Sequence, residues 1–426
     1  MKKTFEINKE AAKKELQKSW IYIASFAKWL LCAGATGLLC GLTGSFFHIC
    51  LTKAAALQTQ NSWLLYGLPL GGLLIVFLYR VCKIQQDPGT NLVLSSIRSG
   101  EQVPLRMAFL IFCGTLLTHL FGGSSGREGA ALQIGGSIGG FLSRCFHLDD
   151  RDLRILTMCG MSAVFSALFG TPLTAAVFSM EVVSVGVVYY VALMPALVSA
   201  LIAFGVAGLF GIAPTRFSIP ALPEETWLTF LQVIALGALC ALVSILLCVS
   251  IRMSGRLFRR FFKNAYFRIA AGGILVVVLT LLSGTRDYNG AGIAVIERAV
   301  GGSASPLAFL FKLLFTAVTL GCGFKGGEIV PTFFVGATFG CAVGGLIGLP
   351  AGFGAALGLI ATFCGVVNCP FAAIFLSVEL FGSEGLLLFA AACAVSYMLS
   401  GRYSLYTSQK IMYSKIKASY IDADAR

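Results

Sequence analysis

Arg127 and Glu128 stand side by side in the stretch GGSSGREGAALQIGGSIGG at 122–140, between two apolar runs. Charges at bilayer depth cost about 2.5–3.5 kcal/mol each on insertion scales, so they face a bundle interior or a water-filled path. The surrounding glycines weaken a helix but let a backbone turn tightly and approach something closely. A helix start led in by glycine offers free backbone N–H groups and a partial positive charge, which together make an anion site. Three segments have this form: Gly89-Thr90-Asn91 before LVLSSI, Gly126-Arg127-Glu128-Gly129 before AALQIGG, and Gly326-Gly327-Glu328-Ile329-Val330-Pro331 before TFFVGA. Pro331 suits the first turn of a helix.

At such a start Glu128 could hold the anion's place when ionised and leave it when protonated. One residue would then couple anion movement to proton movement. The competing reading is a carboxylate that caps its helix and pairs with Arg127. Glu328 could face the same path or cap its own helix. Glu181 and Glu379 end apolar helices and read as interfacial. Tyr406, in SLYTSQK after the last span, is a hydroxyl donor that could reach an anion, although a tyrosine at a membrane edge usually belongs to the aromatic belt.

These residues need elements to position them, and composition says which. The 426-residue chain is 57% hydrophobic and 12% charged, with a mean hydropathy of +0.85. Soluble domains run near a quarter charged, so this is an integral membrane protein. Apolar runs long enough to cross a bilayer recur from 26 to 400, several broken by Gly or Pro, and predict more than ten helices, some not spanning. The net charge of +13 sits in the first 18 residues, after Ile251 and in the tail. These places mark cytoplasmic segments by the positive-inside rule, and they argue against a nucleic-acid partner. Trp63 and Trp227 begin apolar runs as interfacial anchors do. The 14 cysteines lie mostly inside apolar runs, form no CxxC pair, and read as buried hydrophobes rather than disulfides or metal ligands.

An internal repeat organises the chain. At a shift of 200, Gly126, Glu128, Gly136 and Gly140 fall on Gly326, Glu328, Gly336 and Gly340. At a shift of 198, PLTAAVFSME (172–181) falls on PFAAIFLSVE (370–379). The expected layout is a cytoplasmic amphipathic helix at 1–25, transmembrane repeats at 26–212 and 227–400, a proline-rich loop at 213–226, and a C-terminal helix and tail at 401–426. Paired halves with interrupted helices point to a transport site where the broken helices meet.

From about residue 26 to 415 the chain resembles the CLC family of chloride channels and anion/proton antiporters. GREGA is similar to its GREGP block, GGEIVP to its GxFxP block, SLYTSQK to the segment with its anion-site tyrosine, and Gly89-Thr90-Asn91 to its GSGIP segment. The resemblance implies an all-α membrane fold of two inverted-topology repeats with broken, partly non-spanning helices, and a homodimer with one anion pathway per subunit. It implies Glu128 as the gating and proton-carrying residue. It implies an anion site at Thr90, Arg127, Glu328, Ile329 and Tyr406, with no cofactor or metal.

Chloride antiporters of the family carry paired acids where this chain reads Met180-Glu181-Val182-Val183, so the inner acid position is Val182. That departure, GREG and the GGE block resemble the bacterial fluoride/proton antiporter branch. The implied role is proton-driven fluoride export across a bacterial inner membrane, with both termini cytoplasmic. A chloride channel or chloride/proton antiporter is the alternative within the fold. An intramembrane acyltransferase is the alternative outside it, because His147 and Asp152 have the H-x4-D spacing of a general-base pair. No phosphate-binding block accompanies that pair, and His119 and His147 read as interfacial or loop residues. No enzyme activity is expected.

Overall fold

A computed structural model describes residues 2–84, 89–101 and 103–426, the side chains of 2–14 and 16 excepted. The described residues form sixteen α-helices and one small sheet. Seven helical segments are long and apolar enough to cross a membrane.

The first half runs α1 (Lys2–Gln60), α2 (Leu68–Val81), α3 (Thr90–Ser99), α4 (Leu105–Leu120), α5 (Glu128–Cys145), α6 (Asp150–Phe169), α7 (Pro172–Glu181) and α8 (Leu193–Leu209). The second runs α9 (Trp227–Phe261), α10 (Ala265–Ser283), α11 (Ile293–Val300), α12 (Ala308–Cys322), α13 (Ile329–Leu346), α14 (Ala351–Val367), α15 (Pro370–Phe381) and α16 (Leu386–Leu399). No break falls at residue 25. The surface helix and the first span are one helix, because no proline interrupts the run before Gln60.

Close helix packing rests on small residues. A methyl at Gly135 or Gly139 of α5 would strike the carbonyls of Gly160 or Leu156 on α6. One at Gly336 or Gly340 of α13 would strike those of Gly358 or Gly354 on α14. Between helices in a bilayer, such contacts replace the missing hydrophobic drive. Hydroxyls add cross-helix bonds: Ser166 Oγ donates to Ala200 O at 2.8 Å, and Ser396 Oγ to Ala361 O at 2.7 Å.

The segment 401–426, expected as a helix and tail, is extended. Strand β2 (Lys410–Tyr413) pairs in parallel with β1 (Ser184–Val185) and antiparallel with β3 (Tyr420–Asp424). The short strand after α7 has backbone groups to satisfy, and Lys410 Nζ bonds Asp424 across the β2–β3 pair at 2.9 Å.

Candidate functional site

The loops before α5 and α13 meet at the centre. Gly126 N–H donates to Gly327 O and Gly327 N–H donates to Gly126 O, both at 2.7 Å. This mutual pair has the form of a two-fold axis, and it sets the repeat register. Residues 128 and 145 of α5 correspond to 329 and 346 of α13, and Gly135 and Gly139 correspond to Gly336 and Gly340. The offset is therefore 201, not the 200 read from the sequence. Ile329, not Glu328, is the counterpart of Glu128, and Glu328 stands where Arg127 stands, just before its helix and without a side-chain capping bond. Glycine-rich text matches itself at either offset, and the Gly126–Gly327 pair and the helix starts distinguish them. The offset of 198 for α7 and α15 holds.

Glu128 is the first residue of α5 and is fully buried. Neither carboxylate oxygen makes a hydrogen bond of good geometry. The N–H groups nearest to them belong to Arg127, Glu128 itself and Val330, so backbone from both loops faces the carboxylate. A side chain on Gly327 would overlap a carboxylate oxygen and the backbone nitrogens of Glu128 and Gly129, which is why that loop needs glycine there, whereas one on Gly126 would meet only the Glu128 carboxylate. A buried carboxylate is costly unless donors face it, and this one is aimed at the backbone of two helix starts.

Three other expected residues come to the same place. Thr90 begins α3 behind Gly89 (φ 66°), and its hydroxyl packs against Gly129, one residue into α5. Tyr406 is buried, within electrostatic reach of both Glu328 and Glu128. Ile329 is buried at the start of α13. Glu328 is half-buried and makes no ion pair among the described residues, lying within electrostatic reach of Glu128 and Arg252.

Arg127 departs from expectation. It forms no ion pair with Glu128 among the described residues. Its Nη1 donates to His48 Nδ1 on α1 at 3.0 Å, and its guanidinium lies 4.9 Å from the Phe169 ring centre. The adjacent helical position turns the side chain outward from the first turn, to a small cavity it lines with Phe169, Phe217 and Phe333.

Several residues were missed. His48 carried no signal beyond being one of three histidines. Ser125, just before the Gly126 turn, buries an unbonded hydroxyl against Gly326. Gln409 is fully buried and binds across both halves: Nε2 donates to Val182 O and Val367 O, and Oε1 accepts from Asn368 Nδ2. Its N–H also donates to Tyr406 O at 3.1 Å, which fixes the tyrosine turn.

Glu181 and Glu379 have partners that the sequence did not reveal. Glu181 accepts from the N–H groups of Phe371 and Ala372 at the start of α15, at 3.2 and 2.9 Å. Glu379 accepts from Leu173 and Thr174 at the start of α7, both at 2.9 Å. Each repeat thus caps the other's helix. Val182 is buried beside this cap and is not an acid.

The His147–Asp152 pair is also accounted for. Asp152 binds Lys28 of α1, and Asp149 caps α6 through the Asp152 N–H at 2.8 Å. His119 is buried rather than interfacial, with Nδ1 3.0 Å from Thr115 O.

The sequence profile described as voltage gated chloride channel matches residues 71–401. A chloride/fluoride channel protein of Pseudomonas syringae pv. tomato is 36% identical over 397 residues, 91% of this chain and 88% of the relative. An H(+)/Cl(-) exchange transporter of Vibrio campbellii is 26% identical over 84% of this chain and 83% of its own length. A crystal structure of a CLC-type fluoride/proton antiporter superposes with a TM-score of 0.87 at 32% identity, covering 90% of this chain and 98% of that one. A slow cyanobacterial Cl-/H+ antiporter shares the fold at a TM-score of 0.74 and 18% identity, over 87% of this chain and 94% of its own. By its profile match, its helix order and its paired loops, this chain belongs to the voltage gated chloride channel (CLC) family.

Proposed function

We propose that this protein exchanges fluoride for protons across a bacterial inner membrane, with Glu128 as both gate and proton carrier. The observation that carries the reading is the buried Glu128 carboxylate, unbonded and facing backbone N–H groups of both repeats. That position suits one negative charge. Ionised, Glu128 fills it; protonated on a carboxylate oxygen, it loses the attraction and yields to the anion. Anion and proton then travel in opposite directions through one residue.

Thr90 and Tyr406 are the proposed hydroxyl donors, with Ile329 contributing its place at the start of α13. Glu328 joins an anion only when protonated, since an ionised carboxylate would repel it. Arg127 acts on the anion at a distance, through its charge. Fluoride is small and strongly hydrated, so its site must offer several close donors. Likeness to the fluoride/proton antiporter and to the chloride/fluoride protein supports fluoride as the anion. The apolar Val182 and the capping role of Glu181 leave no free acid at the inner position of the chloride antiporters. The cationic ends of the chain and of α9 support cytoplasmic termini, and family membership supports a homodimer.

The test uses purified protein in liposomes loaded with potassium fluoride or potassium chloride. Valinomycin clamps the voltage while electrodes record anion efflux and proton uptake. Fast fluoride efflux with proton uptake and little chloride efflux is expected. Comparable chloride efflux would contradict the fluoride assignment. Anion efflux without protons would reduce Glu128 to a gate in a channel.

A further inference from the structure

The longest helix of the second half ends in a feature that the transport site does not use. Helix α9 has 35 residues, about 52 Å at 1.5 Å per residue, against a hydrocarbon core of about 30 Å. Its last turns therefore reach the headgroup layer. They carry Arg256, Arg259 and Arg260, followed by Lys263 in the turn and Arg268 on α10. No Asp or Glu occurs between Glu225 and Asp287. Arg256, Arg259, Arg260 and Lys263 are exposed, and none makes an ion pair among the described residues. Arg259 and Arg268 lie within electrostatic reach of each other, a like-charge approach with no acid to offset it.

Beside this cluster an open groove of about 380 Å³ runs along the start of α10. Phe261, Phe262, Phe267, Ala270, Ala271 and Ile274 line it. Phe267, Ala270, Ala271 and Ile274 fall at helical spacing on one face, and the two alanines between larger side chains make that face concave. Lys263 and Asn264 stand among the lining residues, where the turn meets α10. An apolar trough lined at one end by Lys263, with Arg259 and Arg260 just before it in the chain and no acid nearby in sequence, matches one ligand chemistry: a phosphate diester attached to acyl chains.

We propose that this groove binds one anionic phospholipid of the cytoplasmic leaflet, an acyl chain along Phe267–Ile274 and the phosphate against Arg259, Arg260 and Lys263. Juxtamembrane cations attract anionic lipid, and basic pockets beside membrane helices hold lipid headgroups. The zwitterionic lipid of the same chain length fits the trough but gains less from the rim.

The experiment is native mass spectrometry of the full chain, purified in detergent and supplied with equimolar POPG and POPC. The wild type is expected to retain POPG over POPC by about tenfold or more, the scale of a few cations near one phosphate. The variant R259Q/R260Q/K263Q is expected to lose that preference. Ala271→Phe, which fills the trough and keeps every cation, is expected to lower POPG retention several-fold, and it decides the matter should the triple variant not fold. Equal retention of the two lipids by the wild type would overturn the proposal. So would POPG retention that Ala271→Phe leaves unchanged, or that inorganic phosphate abolishes, since either would reduce the site to surface charge.

Discussion

Two pairs of glutamates from the two halves have opposite surroundings. Glu181 and Glu379 each accept two backbone hydrogen bonds from the first turn of the other half's helix. Glu128 is more deeply buried than Glu379, yet neither of its oxygens is bonded, and Glu328 has no ion-pair partner among the described residues. The first pair obeys the two-fold relation, each residue the image of the other. The second breaks it, because the image of Glu128 is Ile329. The symmetric carboxylates cap helices across the two repeats, while Glu128 has no carboxylate as its image. In the proposed exchange Glu128 is the proton carrier, and a second carboxylate at the symmetric position would repel it.

The largest expected break in this comparison comes from Glu128→Gln, which keeps the shape and removes the titration. Proton uptake driven by an outward fluoride gradient should fall to the background of protein-free liposomes. Next comes Gly327→Ala. Its methyl would overlap the Glu128 carboxylate and crowd the Glu128 and Gly129 N–H groups. Fluoride efflux should drop about tenfold or more, with a stability loss of roughly 1–3 kcal/mol visible in thermal unfolding.

Glu181→Gln and Glu379→Gln probe the other side. Each weakens a charged cap, so each should cost about 1–2 kcal/mol of stability and lower the apparent Tm, with the proton-to-fluoride ratio unchanged. A ratio shifted by Glu379→Gln would contradict its assignment as a cap. The smallest effect is expected from Tyr406→Phe. Losing one hydroxyl donor of about 1 kcal/mol should slow fluoride efflux roughly fivefold, read from the same electrode traces.

Much of this was legible in the chain. The GREG and GGE loops, the 198-residue offset between α7 and α15, and the burial of Glu128 follow from glycines and charges placed where lipid forbids them. Other features were hidden because their causes lie far away in sequence. Glu181 caps a helix 190 residues further on, and Arg127 turns to a histidine 79 residues before it. No local pattern reports either contact. The register error of one residue arose where glycine repeats allow two alignments, which the Gly126–Gly327 pair and the helix starts separate. The C-terminal strands were missed because the segment has little periodicity of its own. Its pairing depends on the exposed edge after α7 and on Lys410 meeting Asp424.

The most direct test places Glu128→Gln beside Glu379→Gln in identical liposomes and records fluoride efflux and proton uptake together under a valinomycin clamp. The account predicts no fluoride-coupled proton uptake for Glu128→Gln and a wild-type ratio for Glu379→Gln. Coupled uptake persisting in Glu128→Gln would contradict the claim that the unbonded carboxylate carries the proton.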